Sequence, residues 1–246
     1  MDKTPQWYEV WFDSPYYPIL YKDRDEAEAR LFIENLAKDL EIPDKAKVLD
    51  LACGRGRHSS YLADKGYQVV GIDISKESIE DATNDYSKDN LEFYIHDMRL
   101  PFRINYFDYT FNFFTSFGYF NNLKDNQYVL SAIAKGLKKG GIAMIDFMNV
   151  EKVIENLVER EEVTIDGINF YIRRLYNDNF IIKKIKVDDG DKISLFTEEV
   201  QILKPVHFYQ MLQEEGFKLV KEYGDYHLNP FDSNTSDRYI IIIEKV

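Results

Sequence analysis

Cysteine is almost absent from this chain, because Cys53 is the only one among 246 residues. A single cysteine excludes an internal disulfide and is typical of a protein from a reducing compartment. We interpret Cys53 as a small packed residue beside the glycine loop and not as a nucleophile, since no nearby basic constellation activates it. The chain also has only four histidines, without the spacing of metal ligands, so we expect no metal.

Long apolar runs and blocks of basic residues are also lacking. No run approaches the ~20 apolar residues that a membrane span needs, and the aromatic, acidic N-terminal stretch does not resemble a signal peptide. The formal net charge is −12, from 31 basic and 43 acidic residues. Binding to a phosphate backbone requires clustered Lys and Arg. We therefore expect a cytoplasmic protein with no membrane or nucleic-acid partner, and a homodimer remains open.

Residues 48–66 contain the most informative pattern in the chain. An apolar run suited to a buried parallel strand leads into a loop that contains Gly54 and Gly56. A short helical stretch over residues 59–65 then stops at Gly66. The two glycines allow a tight turn and a close approach to a ligand. Because amide groups at such a helix start point towards the ligand, this unit predicts a cofactor site.

A second buried-strand pattern, residues 69–73, ends in Asp73, which lies 17 positions after Gly56. This separation suits a carboxylate that binds a ribose diol. The NAD fingerprint requires a third glycine near position 59, where this chain has Ser59. The pattern therefore predicts nucleoside binding and disfavours a pyrophosphate, which leaves an NAD-dependent oxidoreductase as the weaker alternative.

These residues belong to an ordered series of motifs. The series is Asp-Leu-Ala-Cys-Gly-Arg-Gly at 50–56, Gly-Ile-Asp at 71–73, His-Asp-Met at 96–98, residues 107–108 with 113–119, and Leu-Lys-Lys-Gly-Gly at 137–141. The series resembles the motifs of class I S-adenosylmethionine-dependent methyltransferases. Arg55 departs from the threonine that is commoner between the two glycines. The resemblance covers residues 16–147 and implies S-adenosylmethionine as the cofactor.

The resemblance also implies the residues that bind the cofactor. Tyr17 and Tyr21 match a Tyr-x-x-x-Tyr pattern whose first tyrosine touches the methionine end of the cofactor. Arg24 is either a partner of the cofactor carboxylate or a solvated arginine among acids. Asp97 is the candidate acceptor for the adenine amino group, with a surface-loop aspartate as the alternative. The candidate cofactor residues are Tyr17, Tyr21, Arg24, Ala52, Cys53, Gly54, Gly56, Asp73, Ile74, Asp97, Met98 and Phe114.

The acceptor site follows from topology. Ligands of open α/β sheets lie outside the carboxyl ends of the strands, near the switch in strand order, where residues 114–119 are expected. If the sixth strand runs parallel to the fifth, the loop over residues 224–237 emerges at the same edge. His227 is then the candidate general base, because its pKa range fits that role. The candidate substrate residues are Thr115, Ser116, Tyr119, Tyr226, Phe231 and Arg238.

The predicted fold class is α/β, a doubly wound and mostly parallel seven-stranded sheet with a C-terminal antiparallel hairpin and a small inserted antiparallel sheet. The methyltransferase domain is expected over residues 1–160 and 204–246. Its N-terminal aromatic segment, residues 1–24, is either a lid over the cofactor or a segment packed on the body. Residues 161–203 form the insert, with β-rich runs at 168–176, 180–187 and 193–202. The insert covers the substrate or forms a dimer contact.

The function predicted from this pattern is methyl transfer from S-adenosylmethionine to a nitrogen or oxygen atom of a small molecule, by in-line displacement. Such a reaction needs mainly alignment of the reactants and exclusion of water. A protein that binds S-adenosylmethionine without catalysis is the alternative.

Overall fold

The computed structural model describes residues 5–22 and 26–246, so the candidate Arg24 lies outside the described residues. The strands are β1 (Lys47–Leu51), β2 (Gln68–Asp73), β3 (Leu91–Ile95), β4 (Phe107–Asn112), β5 (Leu137–Met148), β6 (Arg160–Ile165), β7 (Ile168–Tyr176), β8 (Phe180–Asp188), β9 (Ile193–Gln201), β10 (Phe217–Tyr223) and β11 (Arg238–Lys245). The helices are α1 (Trp7–Phe12), α2 (Tyr17–Leu20), α3 (Glu26–Asp39), α4 (Arg57–Asp64), α5 (Lys76–Asp85), α6 (Leu123–Gly136), α7 (Val150–Glu155) and α8 (Pro205–Glu214).

The large sheet has seven strands in the order β10-β11-β5-β4-β1-β2-β3. All of its pairings are parallel except those that β11 makes with β5 and β10. The strands β6 to β9 form a separate antiparallel sheet in sequence order. The predicted fold class is therefore confirmed, including the C-terminal hairpin and the inserted sheet.

Apolar side chains bury both faces of the large sheet. Helices α3 and α4 pack on one face, against residues such as Val48, Phe111 and Met144. Helices α6 and α8 pack on the other, against residues such as Leu49 and Ile145. The four isoleucines at 240–243 are fully buried because successive side chains point to opposite faces and both faces are covered.

Some local boundaries differ from the sequence expectations. The sequence predicts a helix over residues 125–137 that Gly140 and Gly141 stop. Helix α6 ends one residue earlier, at Gly136, and β5 begins with the next residue, so the two glycines lie inside the strand. The register of β5 shifts from Leu137 opposite Phe107 to Ile142 opposite Tyr109, and Gly140 has a φ of 73° within this irregularity. The glycines therefore serve a bulge inside the strand.

The insert and the N-terminal segment also contain more structure than their sequence patterns indicate. The insert has a fourth strand, β6, because the polar residues 160–165 pair with β7. The N-terminal segment folds into the short helices α1 and α2. Across the two described ranges, none of the helices combines the length and the apolar character that crossing a membrane requires.

The direction of β10 determines where the following loop emerges. Since β10 is antiparallel to β11 and β11 is antiparallel to β5, β10 runs in the same direction as β5. The loop over residues 224–237 therefore starts at the edge where β1, β2 and β4 also end.

Candidate active site

A cavity of about 330 Å³ lies at the carboxyl ends of β1, β2 and β4. This position is the edge at which ligands bind in open α/β sheets. Residues of the N-terminal segment contribute part of its lining. Its lining comprises Tyr8, Phe12, Tyr17, Pro18, Tyr21, Lys22, Ala52, Cys53, Gly54, Arg55, Arg57, His58, Ile72, Asp73, Ile74, Ser78, His96, Asp97, Met98, Phe113, Phe114, Ser116, Tyr119 and Phe120.

The loop after β1 takes left-handed backbone conformations at Ala52 (φ 61°), Gly54 (φ 54°) and Gly56 (φ 78°). A Cβ on Gly54 would meet no atom within 4 Å, so this glycine leaves open space beside the loop. Gly56 has a different role and does not line the cavity. A Cβ there would come within 2.5 Å of the Phe93 ring, so this glycine allows α4 to start close against β3.

Asp73 ends β2 at the floor of the cavity. Its Oδ2 accepts a hydrogen bond from the Gly54 amide at 2.8 Å, and its Oδ1 accepts one from the Ser75 amide at 2.8 Å. Burial raises the pKa of this carboxyl, and the two amide hydrogen bonds oppose that effect. A carboxylate has about four acceptor positions, so Asp73 can accept further hydrogen bonds from a ligand.

Asp50 and Ser59 form a buried pair beneath this loop, which the sequence pattern does not single out. The Ser59 hydroxyl donates to Asp50 Oδ2 at 2.5 Å, and burial raises the pKa of the Asp50 carboxyl to about 7. The serine at the position of a third glycine thus binds an acid of β1. Cys53 is also buried, and burial raises the pKa of its thiol, which is consistent with an unreactive residue.

Asp97 lies in the wall next to Met98, but an arginine already binds its carboxylate. The Arg99 guanidinium donates to both oxygens, with an Nη2 to Oδ2 distance of 2.6 Å. Burial works to raise the pKa of the Asp97 carboxyl, yet the hydrogen bonds and charge of Arg99 lower it overall. Arg99 also packs over the Phe120 ring, 5.0 Å from its centroid. Asp97 is therefore held as a charged acceptor.

Aromatic rings from two parts of the chain meet across the cavity. Phe12 lies 4.9 Å from Tyr17 and 5.7 Å from Tyr119, measured between ring centroids. Tyr17 in turn lies 5.1 Å from Tyr21. The N-terminal segment therefore packs directly on the loop that follows β4, and both segments contribute to the lining of the cavity.

Three of the six substrate candidates lie behind the cavity wall and not in it. Thr115, Tyr226 and Arg238 surround Asp146, which is fully buried on β5. Arg238 forms an ion pair with Asp146 at 2.6 Å and donates to the Thr115 hydroxyl at 2.8 Å. The Tyr226 hydroxyl donates to Asp146 at 3.1 Å. Sequence reasoning missed Asp146, which sits inside an apolar strand pattern and has no local signal.

The other three substrate candidates and the candidate base also differ in whether they line the cavity. Ser116 and Tyr119 line the cavity, whereas Phe231 packs on the Tyr239 ring at 4.6 Å. His227, the candidate base, is exposed and lies outside the lining, and its backbone amide donates to Asp225. Of the cofactor candidates in the described part of the chain, all except Gly56 line the cavity.

The lining also includes residues that were not singled out from the sequence. Arg57 and His58 follow the glycine loop directly, and their position at the start of α4 is the signal that could have identified them. The His58 ring stacks on the Phe113 ring at 4.6 Å. Within residues 5–22 and 26–246, no group of three His, Cys, Asp or Glu side chains could hold a metal ion.

Comparison with known proteins identifies the family. The model of the "Methyltransferase domain" family matches residues 42–216. The YqeM protein of Bacillus subtilis (strain 168) is 29% identical over 200 residues, which cover 76% of this chain and 80% of that protein. The glycine/sarcosine N-methyltransferase of Aphanothece halophytica is 26% identical over 232 residues, which cover 92% of this chain and 85% of that protein.

A solved structure shows the same fold. The S-adenosylmethionine-dependent methyltransferase from Clostridium acetobutylicum ATCC 824 superposes with a TM-score of 0.79 at 19% identity, over 93% of this chain and 95% of that chain. The match of the family model covers well over half of the sequence. The chain therefore belongs to the methyltransferase-domain family, and the prediction of a class I, Rossmann-like S-adenosylmethionine-dependent methyltransferase is confirmed.

Proposed function

We propose that this methyltransferase transfers the methyl group of S-adenosylmethionine to a nitrogen or oxygen atom of a small molecule, with an amine as the preferred acceptor. The observation that carries the proposal is the cavity of about 330 Å³, whose lining combines carboxylates with aromatic rings. An acceptor must enter a concave site of this size, which favours a small molecule over a polymer.

The residues around the cavity fit the cofactor. Asp73 would accept hydrogen bonds from the ribose hydroxyls, and Asp97 would accept one from the adenine amino group. Ile74 and Met98 offer apolar walls for the base, and Gly54 leaves room for the backbone to approach the ligand. When bound, S-adenosylmethionine supplies an activated methyl group on a positively charged sulfur.

The chain's own contribution to the reaction is alignment and exclusion of water. Phe12, Tyr17 and Tyr119 form a continuous aromatic wall that would keep solvent from the reacting atoms. Ring faces also attract a cation. Ser116, at the same edge, offers a hydroxyl that could orient an acceptor.

An amine acceptor does not require the candidate base His227, which is absent from the wall, although two other histidines, His58 and His96, line the cavity. A neutral amine can attack without a general base, whereas a hydroxyl usually needs one. His227 is exposed and lies outside the described lining, so His227 is not placed to take a proton there. The name of the relative from Aphanothece halophytica also refers to the methylation of nitrogen in amino acids.

The N-terminal aromatic segment acts in this proposal as a lid, and the inserted sheet supports it. Trp11 is fully buried among side chains of the insert such as Phe170 and Ile185. Glu198 accepts hydrogen bonds from the Trp11 indole at 2.7 Å and from the Tyr21 hydroxyl at 2.6 Å. The described lining contains no residue of β6 to β9. The insert would therefore affect the site through the lid, and a homodimer remains a prediction.

The test is a turnover assay with a panel of acceptors. Purified protein and S-adenosylmethionine are incubated with primary amines, glycine, sarcosine and matched hydroxyl compounds, and S-adenosylhomocysteine is measured by mass spectrometry. We expect product with at least one amine and a large loss of cofactor binding in Asp73→Ala. Binding of S-adenosylmethionine without turnover on any compound would favour the non-catalytic alternative. Turnover on hydroxyl compounds alone would contradict the preference for amines.

A further inference from the structure

Two consecutive non-glycine residues in the loop that follows β4 take the left-handed conformation. Phe114 has a φ of 55° and Thr115 a φ of 52°. Side chains disfavour this region, and a β-branched residue such as threonine is among the least suited to it. A strained pair of this kind persists only where the surrounding structure holds it, and such pairs concentrate at functional sites.

Asp146 holds the backbone of both residues. Its side-chain Oδ2 accepts a hydrogen bond from the Phe114 amide at 3.0 Å. Its main-chain oxygen accepts one from the Thr115 amide at 2.9 Å. One fully buried residue on β5 therefore binds two successive peptide groups of the loop that follows β4.

Arg238 completes the arrangement from β11. Its Nε and Nη2 both bind Asp146 Oδ1, at 2.8 and 2.6 Å, and Nη2 also donates to the Thr115 hydroxyl. The forked, planar guanidinium suits this pattern, because separate N–H groups reach the carboxylate and the hydroxyl at the same time. Arg238 therefore connects the side chain of Thr115 to Asp146, the residue that binds the backbone amide of Thr115.

The strained turn decides which side chains face the cavity. Phe114 and Ser116 line it, and Thr115 between them is buried against Arg238. Asp146 and Arg238 are not among the lining residues. Their effect on a ligand must therefore be transmitted through the turn.

We propose that Asp146 and Arg238 are positioning residues of the methyltransferase reaction, which hold the Phe114–Thr115 turn in the shape that forms the cavity wall. This inference rests on the proposed function, because the wall it concerns is the one that contacts cofactor and acceptor. Neither residue touches the reacting atoms.

The test combines Asp146→Asn with a change that relieves the strain at Thr115. Asparagine cannot accept from both Arg238 and the Phe114 amide as the carboxylate does, so the turn should relax. We expect backbone amide exchange in a peptide spanning residues 113–118 to accelerate, and the dissociation constant for S-adenosylhomocysteine to rise about tenfold. Thr115→Gly in the same variant should restore the dissociation constant to within about threefold of the native protein, because glycine adopts the left-handed conformation without strain.

A control variant separates positioning from general stability, and a second variant replaces Asp146→Asn if that protein does not fold. Glu222→Ala removes another acid that accepts hydrogen bonds from two hydroxyls, those of Tyr209 and Tyr239, but it holds no left-handed residues. This control should lower the melting temperature and leave both the exchange of residues 113–118 and the dissociation constant unchanged. If Asp146→Asn does not fold, Arg238→Lys replaces it, since lysine keeps the charge but lacks the fork.

Unchanged exchange over residues 113–118 in the folded variant would overturn the proposal, as would a failure of Thr115→Gly to restore binding. A native protein that does not bind S-adenosylhomocysteine would instead refute the proposed function. The exchange comparison would still decide whether Asp146 and Arg238 hold the turn.

Discussion

Asp50 is expected to make the stability of this protein fall as the pH rises. Its side chain is buried beneath the cofactor loop, where the hydroxyl of Ser59 is its hydrogen-bond donor. Burial raises the pKa of the Asp50 carboxyl from 3.8 to about 7, so the folded state keeps a proton that the unfolded chain has already lost. Between these two values the unfolded state binds fewer protons, and stability therefore decreases with increasing pH.

The size of this effect follows from the difference between the two pKa values. They differ by about 3 units, and one unit corresponds to about 1.4 kcal/mol, which gives about 4 kcal/mol over the whole window. About 2.5 kcal/mol of this falls between pH 5 and pH 8, since the unfolded chain is largely ionised by pH 5 and the folded state ionises near pH 7.

Asp50→Asn isolates this contribution, because the amide is neutral throughout and its oxygen can still accept from Ser59. Urea unfolding at pH 5, 6, 7 and 8 should show the native protein losing about 2.5 kcal/mol relative to the variant. Asp108→Asn is the matched control. Burial acts to raise the pKa of the Asp108 carboxyl, but Lys138 and the Lys47 amide lower it overall, so this group is ionised in both states across the window. A difference between native protein and Asp50→Asn that stays constant from pH 5 to pH 8 would refute the reasoning.

Three further predictions concern the cavity and its lid. Asp73→Ala should weaken S-adenosylhomocysteine binding by about 1–3 kcal/mol through lost hydrogen bonds, and unchanged affinity in a calorimeter would argue against the ribose assignment. Gly56→Ala should destabilise the fold by about 1–3 kcal/mol, because its Cβ would overlap the Phe93 ring at 2.5 Å; an unaltered urea midpoint would contradict this. Glu198→Ala should raise the protease sensitivity of residues 5–22 and weaken S-adenosylhomocysteine binding, since it removes the oxygen to which Trp11 and Tyr21 both donate. Normal binding in a variant with a cleavable segment would show that the lid is dispensable for the cofactor.

The C-terminal strands and one helix cap show how much of the fold can be predicted from local sequence patterns. The sequence patterns predict strands over residues 217–223 and 238–245, and β10 and β11 have these bounds. The sequence also predicts Ser75 as the cap of the next helix, and Ser75 caps α5 by accepting a hydrogen bond from the Ser78 amide. Strand alternation, glycine stops and capping residues act within a few positions, so a single sequence displays them directly. Pairing between distant strands leaves no such local pattern in the sequence, which is why β6 and the bulge in β5 were not predicted.

The cradle around Gly54 and Asp73 was predictable because a strand, a glycine loop and a terminal acid recur at short spacing, and each requires a specific residue type. Local patterns of this kind were therefore enough to predict the fold class and the cofactor edge. They did not predict which side chains face the cavity, because that depends on contacts between distant strands. Arg238 meets Asp146 because β11 pairs antiparallel with β5, which brings together residues 92 positions apart. No local pattern encodes that pairing, because a buried ion pair is formed by the register between strands and not by either strand alone.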